Sequence, residues 1–256
     1  MIHDFEIGEP LSEVAEPKVG LQTDNNALFL RRWFEVNYYE IKFDAQDGTS
    51  AFKSGLKWFP YNKGGSYRKW YGNYDYVINW RNGGQEIIEL ATKKYKNASR
   101  TVKNVRYYFR EAITWSLITS GGFSMRFREP GSIHDVSGMS AFSDSHENLL
   151  LIMAVMNSKV GNYVLKMLNP TINLQVGNFS SFPVVAVSSD DIGPVLKMTR
   201  MSVEIAKDDW NVDEHSWGFN CLQLMDHIAE HPLSHPQKVA HYGPYVPNLR
   251  QLFRKI

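Results

Sequence analysis

The chain has 256 residues, 43% of them hydrophobic and 21% charged, which is enough for one large domain or two modest ones with a sizeable core. The single cysteine, Cys221, excludes a disulfide framework and a cysteine-rich zinc site. The acidic N-terminus does not resemble a signal peptide, and no run reaches the ~20 apolar residues of a membrane span. We therefore predict a cytoplasmic protein with no membrane partner.

The part of the chain before residue 146 contains most of the predicted strands. Residues 1–38 are predicted to form an extended lead-in and a helix that begins near Thr23-Asp24-Asn25 and continues through Phe34. From residue 39 to 140, short runs such as YEIKF, YDYVINW, VRYYF and SMRFRE alternate with DG, GG and NGG turns, which is typical of β-strands. Asn82-Gly83 is a strong hairpin signal.

The pattern changes after His146. Residues 146–168 space their apolar residues at i, i+3, i+4 and i+7, which predicts one helix or two abutting helices that end at Asn169-Pro170. Residues 171–185 are predicted to be extended, and residues 190–207 to form a second amphipathic helix. We expect an α+β fold, with twisted mixed β-sheets followed by a helical spacer. The predicted parts are a lead-in and helix at 1–38, a main domain at 39–188, and a spacer with a tail at 189–256.

The net charge of +1 conceals an uneven distribution. Residues 1–56 carry a net charge of −5, residues 57–110 carry +9, and residues 111–256 carry −3. A central basic block between acidic flanks is the pattern of a polyanion site, because phosphate neutralisation requires concentrated cations. A solvated basic face is the alternative interpretation.

Residues 57–73, KWFPYNKGGSYRKWYGN, place six aromatic rings and four cations around a Gly-Gly pair. Interleaved rings and cations within a basic block favour nucleic acid as the ligand. Because side chains alternate along a strand, we expect about half of these rings to be structural.

Other chemistry has weaker support. No P-loop occurs. Asp24 followed by Glu40 and Lys42 has the form of a Mg²⁺-dependent nuclease site, in which two carboxylates hold the metal and the lysine polarises water. This nuclease is the alternative function. His227 and His231 are four residues apart, but Pro232 would break the helix that a metal pair needs, so surface histidines are preferred.

Four long stretches, at residues 20–36, 57–87, 107–127 and 149–184, resemble the C-terminal part of BREX type 1 adenine-specific DNA methyltransferases of the PglX group, which act in phage defence. The resemblance covers about residues 20–217. It implies a target recognition domain that binds double-stranded DNA at a specific non-palindromic site and presents one adenine for N6 methylation. The implied partners are double-stranded DNA, a methyltransferase domain or chain, and other BREX components.

The sequence departs from such methyltransferases in one respect, because the motifs of their catalytic core are not found in it. Such enzymes use an Asn/Asp-Pro-Pro-aromatic motif, whereas the nearest match, Asn169-Pro170-Thr171-Ile172, lacks the second proline and the aromatic residue. We predict no catalytic, cofactor-binding or metal-binding residue in this chain, and S-adenosylmethionine is expected on a methyltransferase domain elsewhere. The chain would be a recognition fragment or a split product. A non-enzymatic module that binds other defence components is a further alternative.

The resemblance suggests roles for the central motif. Lys57, Lys63, Arg68 and Lys69 would neutralise phosphates, and Gly64-Gly65 would let the backbone approach DNA. Asn62, Arg68 and Asn73 are of the types that read base edges. The complete predicted DNA-binding set is Lys57, Tyr61, Asn62, Lys63, Gly64, Gly65, Tyr67, Arg68, Lys69, Asn73, Arg81, Arg106 and Arg126.

Overall fold

The structure is a computed structural model that describes residues 8–118, 122–184 and 188–222. The chain divides into two compact units, Met1–Trp217 and Gly218–Ile256, and the elements below lie in the first. Its α-helices are α1 (Asn26–Phe29), α2 (Gly48–Ser54), α3 (Arg81–Tyr95), α4 (His146–Asn157), α5 (Lys159–Leu168), α6 (Val176–Ser180) and α7 (Ser189–Asn211).

The strands of the described residues form three sheets. They are β1 (Glu9–Pro10), β2 (Glu16–Lys18), β3 (Leu30–Arg32), β4 (Trp58–Asn62), β5 (Tyr76–Asn79), β6 (Ala112–Ser116), β7 (Met125–Arg128), β8 (Ile133–His134), β9 (Gly138–Phe142) and β10 (Pro183–Val184). One sheet, called here the antiparallel sheet, has the order β2-β9-β6-β7. The second four-stranded sheet, called the mixed sheet, has the order β3-β5-β4-β8, in which β4 and β8 are parallel. β1 and β10 form a separate antiparallel pair.

Each larger sheet has its own hydrophobic core. Helices α4, α5 and α7 cover the antiparallel sheet, where Leu149, Leu165 and Leu196 pack with Trp115 and Met125. Helices α1, α2 and α3 cover the mixed sheet. Their buried residues Phe29, Ala51 and Ile87 pack with Phe59 of β4 and Ile78 of β5. Strands and helices are thus segregated into sheet and helical layers, and the predicted α+β fold class is confirmed.

Several predicted elements are confirmed. YDYVINW contains β5, and the two runs around residues 112–128 form the antiparallel pair β6 and β7. Residues 146–168 form two abutting helices, and Asn169 ends the second. The spacer helix is present as α7. Apolar spacing over ten or more residues identified these helices reliably, because burial of one face determines the pattern.

Other predictions were wrong for identifiable reasons. The predicted helix from Thr23 ends at Phe29, since Leu30–Arg32 pairs with β5 instead of continuing it; Asn25 is its cap and accepts from Leu28 N at 3.1 Å. Asn82-Gly83 does not close a hairpin. Asn82, Gly83 and Gly84 all have positive φ, but they form an irregular first turn of α3, which follows β5 directly. A positive-φ signal specifies the turn, whereas the residues that follow decide which element comes next.

Two further segments also differ from expectation. The runs YEIKF and VRYYF contain short 3-10 turns, at Tyr38–Glu40 and Val105–Tyr107, in place of strands. The segment 171–185, expected to be extended, contains α6. These short runs have too few residues for periodicity to separate a strand from a turn.

The first predicted part, residues 1–38, contributes strands to the sheets, and much of the last part lies outside the described residues. Strands β1, β2 and β3 come from the first 38 residues, and each pairs in a different sheet. The boundaries at 38 and 188 stay predictions. His227, His231 and the rest of the histidine-rich tail lie outside the described residues. Over the three described ranges, no helix has both the length and the apolar character needed to cross a membrane.

Candidate nucleic-acid interface

The Gly-Gly motif lies in a long connection, loop 63–75, between β4 and β5 of the mixed sheet. This loop crosses to the antiparallel sheet, where Trp70 N donates to Met125 O at 2.9 Å and Phe127 N donates to Trp70 O at 2.7 Å. Trp70 has a φ of 72° and Asn73 a φ of 64°, both unusual for residues with a side chain. The loop is therefore tied to both sheets and held in a specific conformation.

The two glycines are required by packing inside the protein. Gly64 is buried with a φ of 78°, and a Cβ there would lie 2.6 Å from Ser137 O. At Gly65, whose φ is 149°, a Cβ would lie 2.9 Å from Cγ of Asn73. Gly64 was expected to let the backbone approach DNA, but it is buried against Ser137 and is not at the surface. Gly65 is exposed, so its backbone remains at the surface.

Buried polar side chains hold the loop from beneath. Asn73, which is 5% exposed, donates through Nδ2 to Ser66 O at 3.0 Å. Ser116 Oγ donates to Gly65 O at 2.9 Å. Arg126, which is fully buried, donates to Arg68 O at 3.4 Å and to Ser116 Oγ at 3.3 Å. Asn73 and Arg126, both predicted to contact DNA, therefore support the loop's backbone.

Tyr61 and Asn62 are also interior residues. β4 lies between β5 and β8, and all of its five residues are buried. Tyr61 OH donates to Asp135 Oδ2 at 2.5 Å, and burial raises the pKa of this phenol well above its usual value. Asn62 Oδ1 accepts from Gly64 N at 3.2 Å. Neither side chain presents a surface to a ligand in this conformation.

More of the motif's rings are structural than the expected half. Trp58, Phe59, Tyr61 and Tyr71 are buried, and Trp70 is half-buried against the core of the antiparallel sheet. Strand alternation did not apply, because β4 is covered on both faces. Tyr67, at the tip of loop 63–75, is 53% exposed. It is the ring of the motif that can contact a ligand.

Two buried arginines give this region an uncompensated positive charge. Arg126 and Arg128, both on β7, are fully buried, and desolvation lowers the pKa of each guanidinium to about 10. Both stay charged at neutral pH. Within the described residues neither forms an ion pair, and carbonyl and hydroxyl oxygens accept their hydrogen bonds. Charges in a low-dielectric interior are poorly screened, so Arg126 contributes positive potential beneath loop 63–75.

Two cations flank one ring beside the loop. Lys63 Nζ lies 5.9 Å from the centroid of the Tyr76 ring, and Arg32 Cζ lies 4.6 Å from the same centroid. Arg32 also pairs with Asp75 at 3.1 Å. Sequence reasoning missed Arg32, because it lies in the acidic first segment; pairing of β3 with β5 brings it to the loop.

Arg68 and Lys69 contact different elements. Arg68 pairs with Asp209 of α7 at 2.8 Å, and its Cζ lies 5.0 Å from the centroid of the Trp210 ring. It lines a pocket of about 410 Å³ together with Arg32 and the loop residue Ser66. Lys69 Nζ instead donates to Asn157 O, at the end of α4, at 2.6 Å. The two adjacent cations therefore have separate environments.

The other predicted cations are spread over the surface. Lys57 lies over the Trp58 ring, Arg81 is exposed at the start of α3, and Arg106 donates to Tyr107 OH. A second concentration, called here the α3 patch, contains the exposed residues Lys93, Lys94, Lys96 and Arg100. Within the described part of the chain, no member of the α3 patch forms an ion pair. The basic block thus separates into loop 63–75 and the α3 patch.

Two of the three residues of the alternative nuclease, Asp24 and Lys42, are engaged with other partners. Asp24 accepts from Gln22 Nε2 at 3.2 Å and from Thr101 Oγ1 at 3.1 Å, while Lys42 pairs with Asp44 at 2.8 Å. Among the described residues, no group of three His, Cys, Asp or Glu side chains could hold a metal ion. No observation favours the nuclease over DNA recognition.

The partial methyltransferase motif is used to build a turn. Asn169 Nδ2 donates to Asn173 O at 2.6 Å, and its Oδ1 accepts from Thr171 Oγ1 at 2.7 Å. Both ends of the Asn169 amide are therefore occupied within a surface turn. This geometry does not fit the role of holding an adenine amino group, so we derive no methyl-transfer step from it.

Comparison with known proteins gives two informative relatives. The chain is 38% identical over 221 residues to the adenine-specific methyltransferase PglX of Lacticaseibacillus casei (strain Zhang), an alignment that covers 86% of this chain and 18% of that protein. It is 37% identical over 211 residues to the adenine-specific methyltransferase BrxX of Escherichia coli O9:H4 (strain HS), covering 81% of this chain and 16% of the relative. No family model matches the chain. The chain is homologous to part of these methyltransferases and spans less than a fifth of their length.

Proposed function

We propose that this chain is the sequence-specific double-stranded DNA recognition module of a BREX-type adenine-specific (N6) DNA methyltransferase that acts in phage defence. The observation that supports it best is loop 63–75. Its tip exposes Ser66 and Tyr67, while buried Asn73, Ser116 and Arg126 hold its backbone from beneath. In a chain homologous to part of adenine-specific methyltransferases, such a loop is suited to entering a DNA groove.

Preorganisation is the physical advantage of this arrangement. A flexible loop must lose conformational entropy when it binds, whereas a loop already fixed by internal hydrogen bonds loses less. Base readout also requires side chains to be placed within a fraction of an ångström. The buried hydrogen bonds of Asn73 and Arg126 meet both requirements, so we assign these two residues a positioning role.

Arg68 is the residue that we propose to read a base. A guanidinium can donate two hydrogen bonds to guanine, a contact worth about 1–3 kcal/mol of discrimination. In the free chain Arg68 pairs with Asp209, and an exposed pair of this kind is worth about 0–1 kcal/mol. The correct base can therefore displace Asp209, whereas a poorly matched base cannot. Lys63 and Arg32 would contact the neighbouring phosphates.

Methyl transfer would take place on another domain or chain. The described residues supply a surface that fixes the position and orientation of the duplex. A methyltransferase domain would bind S-adenosylmethionine and take the target adenine out of the helix. Other BREX components are proposed as further partners of the assembled enzyme.

A binding selection with randomised duplexes tests the proposal directly. The 256-residue chain is mixed with duplexes of random internal sequence in magnesium-containing buffer, and bound molecules are sequenced after successive rounds. Enrichment of one non-palindromic motif is expected. Binding without enrichment would show that the chain holds DNA without reading it, and cleavage of the retained duplexes would favour the nuclease alternative.

Calorimetric titration with S-adenosylmethionine tests the missing catalytic core. We expect no binding by this chain. Micromolar binding would contradict the placement of the cofactor on another domain.

A further inference from the structure

A further basic surface lies on α5, where lysines from outside the basic block of the sequence meet Lys69 of that block. A pocket of about 340 Å³ is lined by Lys69, Ser158, Lys159, Asn162, Tyr163 and Lys166. Three lysines share this hollow, and no carboxylate of the described residues lines it. Tyr163 is 57% exposed, so its phenol is available to a ligand. We call these six residues the α5 surface.

The fold fixes the α5 surface to the candidate interface. Asn157, which is buried, exchanges two hydrogen bonds of 2.9 Å with the backbone of Met125 on β7. Ser158 Oγ then caps α5 by accepting from Gly161 N at 2.9 Å. Lys69 Nζ donates to Asn157 O, which ties loop 63–75 to the same turn. The α5 surface therefore adjoins loop 63–75 at Lys69.

Its electrostatics favour an anion. Lys159 occupies the first turn of α5, where the helix dipole already places partial positive charge and a lysine is unfavourable. Lys69 adds another charge nearby. Within the described residues, none of Lys69, Lys159 and Lys166 forms an ion pair. Lys159 lies at the positive end of α5 and Lys166 in its last turn, and with Lys69 they form a row of cations that complements a run of phosphates.

We propose that the α5 surface binds the sugar–phosphate backbone of the duplex beside the recognised site. This inference rests on the proposed function. Lys69 follows Arg68 in the chain, so a duplex read by loop 63–75 would pass next to Lys69 and then to α5. Lys159 and Lys166 supply charge, and the exposed phenol of Tyr163 supplies a donor of the kind that contacts phosphate. Asn162 Nδ2 donates to Met156 O and Ser158 O, so it shapes the surface without contacting the ligand. The surface adds affinity that is independent of base sequence.

The dependence of binding on salt tests this assignment. Each phosphate that a cation neutralises contributes about 0.9 to the slope of log affinity against log salt. The double variant K159A/K166A is compared with K53A/K197A, which removes two exposed lysines from α2 and α7 and has the same net charge. Affinity is measured over a range of salt for the duplex enriched by selection and for its scrambled sequence.

We expect K159A/K166A to lower the slope by about 1.8, which weakens binding by about 60-fold at about 0.1 M salt when the proteins bind equally at about 1 M. The loss should be the same on both duplexes, and K53A/K197A should keep the wild-type slope. Equal slopes in the two double variants would overturn the inference. A loss confined to the enriched duplex would also overturn it, because phosphate contacts carry no base information.

Two outcomes of the same binding experiment distinguish failure of this inference from failure of the proposed function. If wild type binds and selects a motif while K159A/K166A behaves as wild type, the inference alone fails. If wild type binds no duplex, both fail. Thermal melting excludes unfolding as a cause. K159A removes an unfavourable cation from the first turn of α5 and K166A a favourable one from its last turn, so the melting temperature should stay about the same.

Discussion

Loop 63–75 and the α3 patch come from the same basic block of sequence, but the fold uses them differently. In the loop, buried side chains hold the backbone and each cation has a defined neighbour: Tyr76 for Lys63, Asp209 for Arg68 and Asn157 for Lys69. In the α3 patch the cations are exposed, at the end of α3 and in the residues after it, and their ring contacts are with Tyr95 on the same surface and not with a buried side chain. Lys94 and Arg100 lie over the Tyr95 ring, each 4.8 Å from its centroid.

The difference shows that charge density alone does not identify a reading surface. A solvated lysine is mobile and can attract any polyanion, so it contributes affinity without base preference. A cation on a fixed backbone can discriminate, because its donors are held where one base edge fits and another does not. We therefore assign sequence reading to loop 63–75 and, at most, electrostatic attraction to the α3 patch.

The largest expected effect concerns the fixed backbone of the loop. G64A places a Cβ at positive φ and 2.6 Å from a backbone oxygen, so we expect a loss of about 3 kcal/mol or more in the free energy of unfolding. Gly55, at the end of α2, is the matched control. Its φ is 66°, but a Cβ there would meet nothing within 4 Å, so G55A should cost only about 1 kcal/mol. Denaturant titration measures both, and similar losses would mean that the loop is not tightly packed.

A smaller effect is expected at the partner of Arg68. D209A removes the ion pair and frees the guanidinium, so affinity for the enriched duplex should increase about two- to fivefold, the range of an exposed pair. D208A removes the same charge from the neighbouring exposed residue and should give a smaller gain. Equal gains would indicate a general charge effect. Weaker binding by D209A would mean that Asp209 positions Arg68.

The smallest effect is expected in the α3 patch. K93A/K94A removes two solvated lysines, and we expect an unchanged melting temperature and a slight, equal weakening of binding to enriched and scrambled duplexes. Fluorescence anisotropy with both duplexes measures the outcome. A loss on the enriched duplex alone would transfer base reading to α3 and contradict the comparison.

The sequence predicted the elements whose patterns are long. The abutting helices α4 and α5 and the spacer helix α7 follow from periodic burial over ten or more residues, and β5 from a β-branched and aromatic run between turn residues. It also identified residues 57–73 as unusual. Where a run was short, as at Tyr38–Glu40, propensity did not separate a 3-10 turn from a strand.

The internal arrangement of the site could not be predicted. Arg126 and Asn73 are residue types that read bases, and only contacts with Ser116, Arg68 and Ser66 place them inside the protein. The α5 surface was missed for a related reason. Lys159 lies in a segment with a negative net charge, and Lys69 reaches it from 90 positions earlier in the sequence. A count of charges along the chain cannot show that the fold brings these two lysines together.

The most direct test of sequence reading by loop 63–75 is the ratio of affinities for the enriched and scrambled duplexes in R68A and K69A. We expect R68A to lose about 1–3 kcal/mol on the enriched duplex and little on the scrambled one, so the ratio falls. K69A should weaken both equally and keep the ratio, because its charge faces the turn before α5. An unchanged ratio in R68A would contradict the account, since the loop would then hold DNA without reading it.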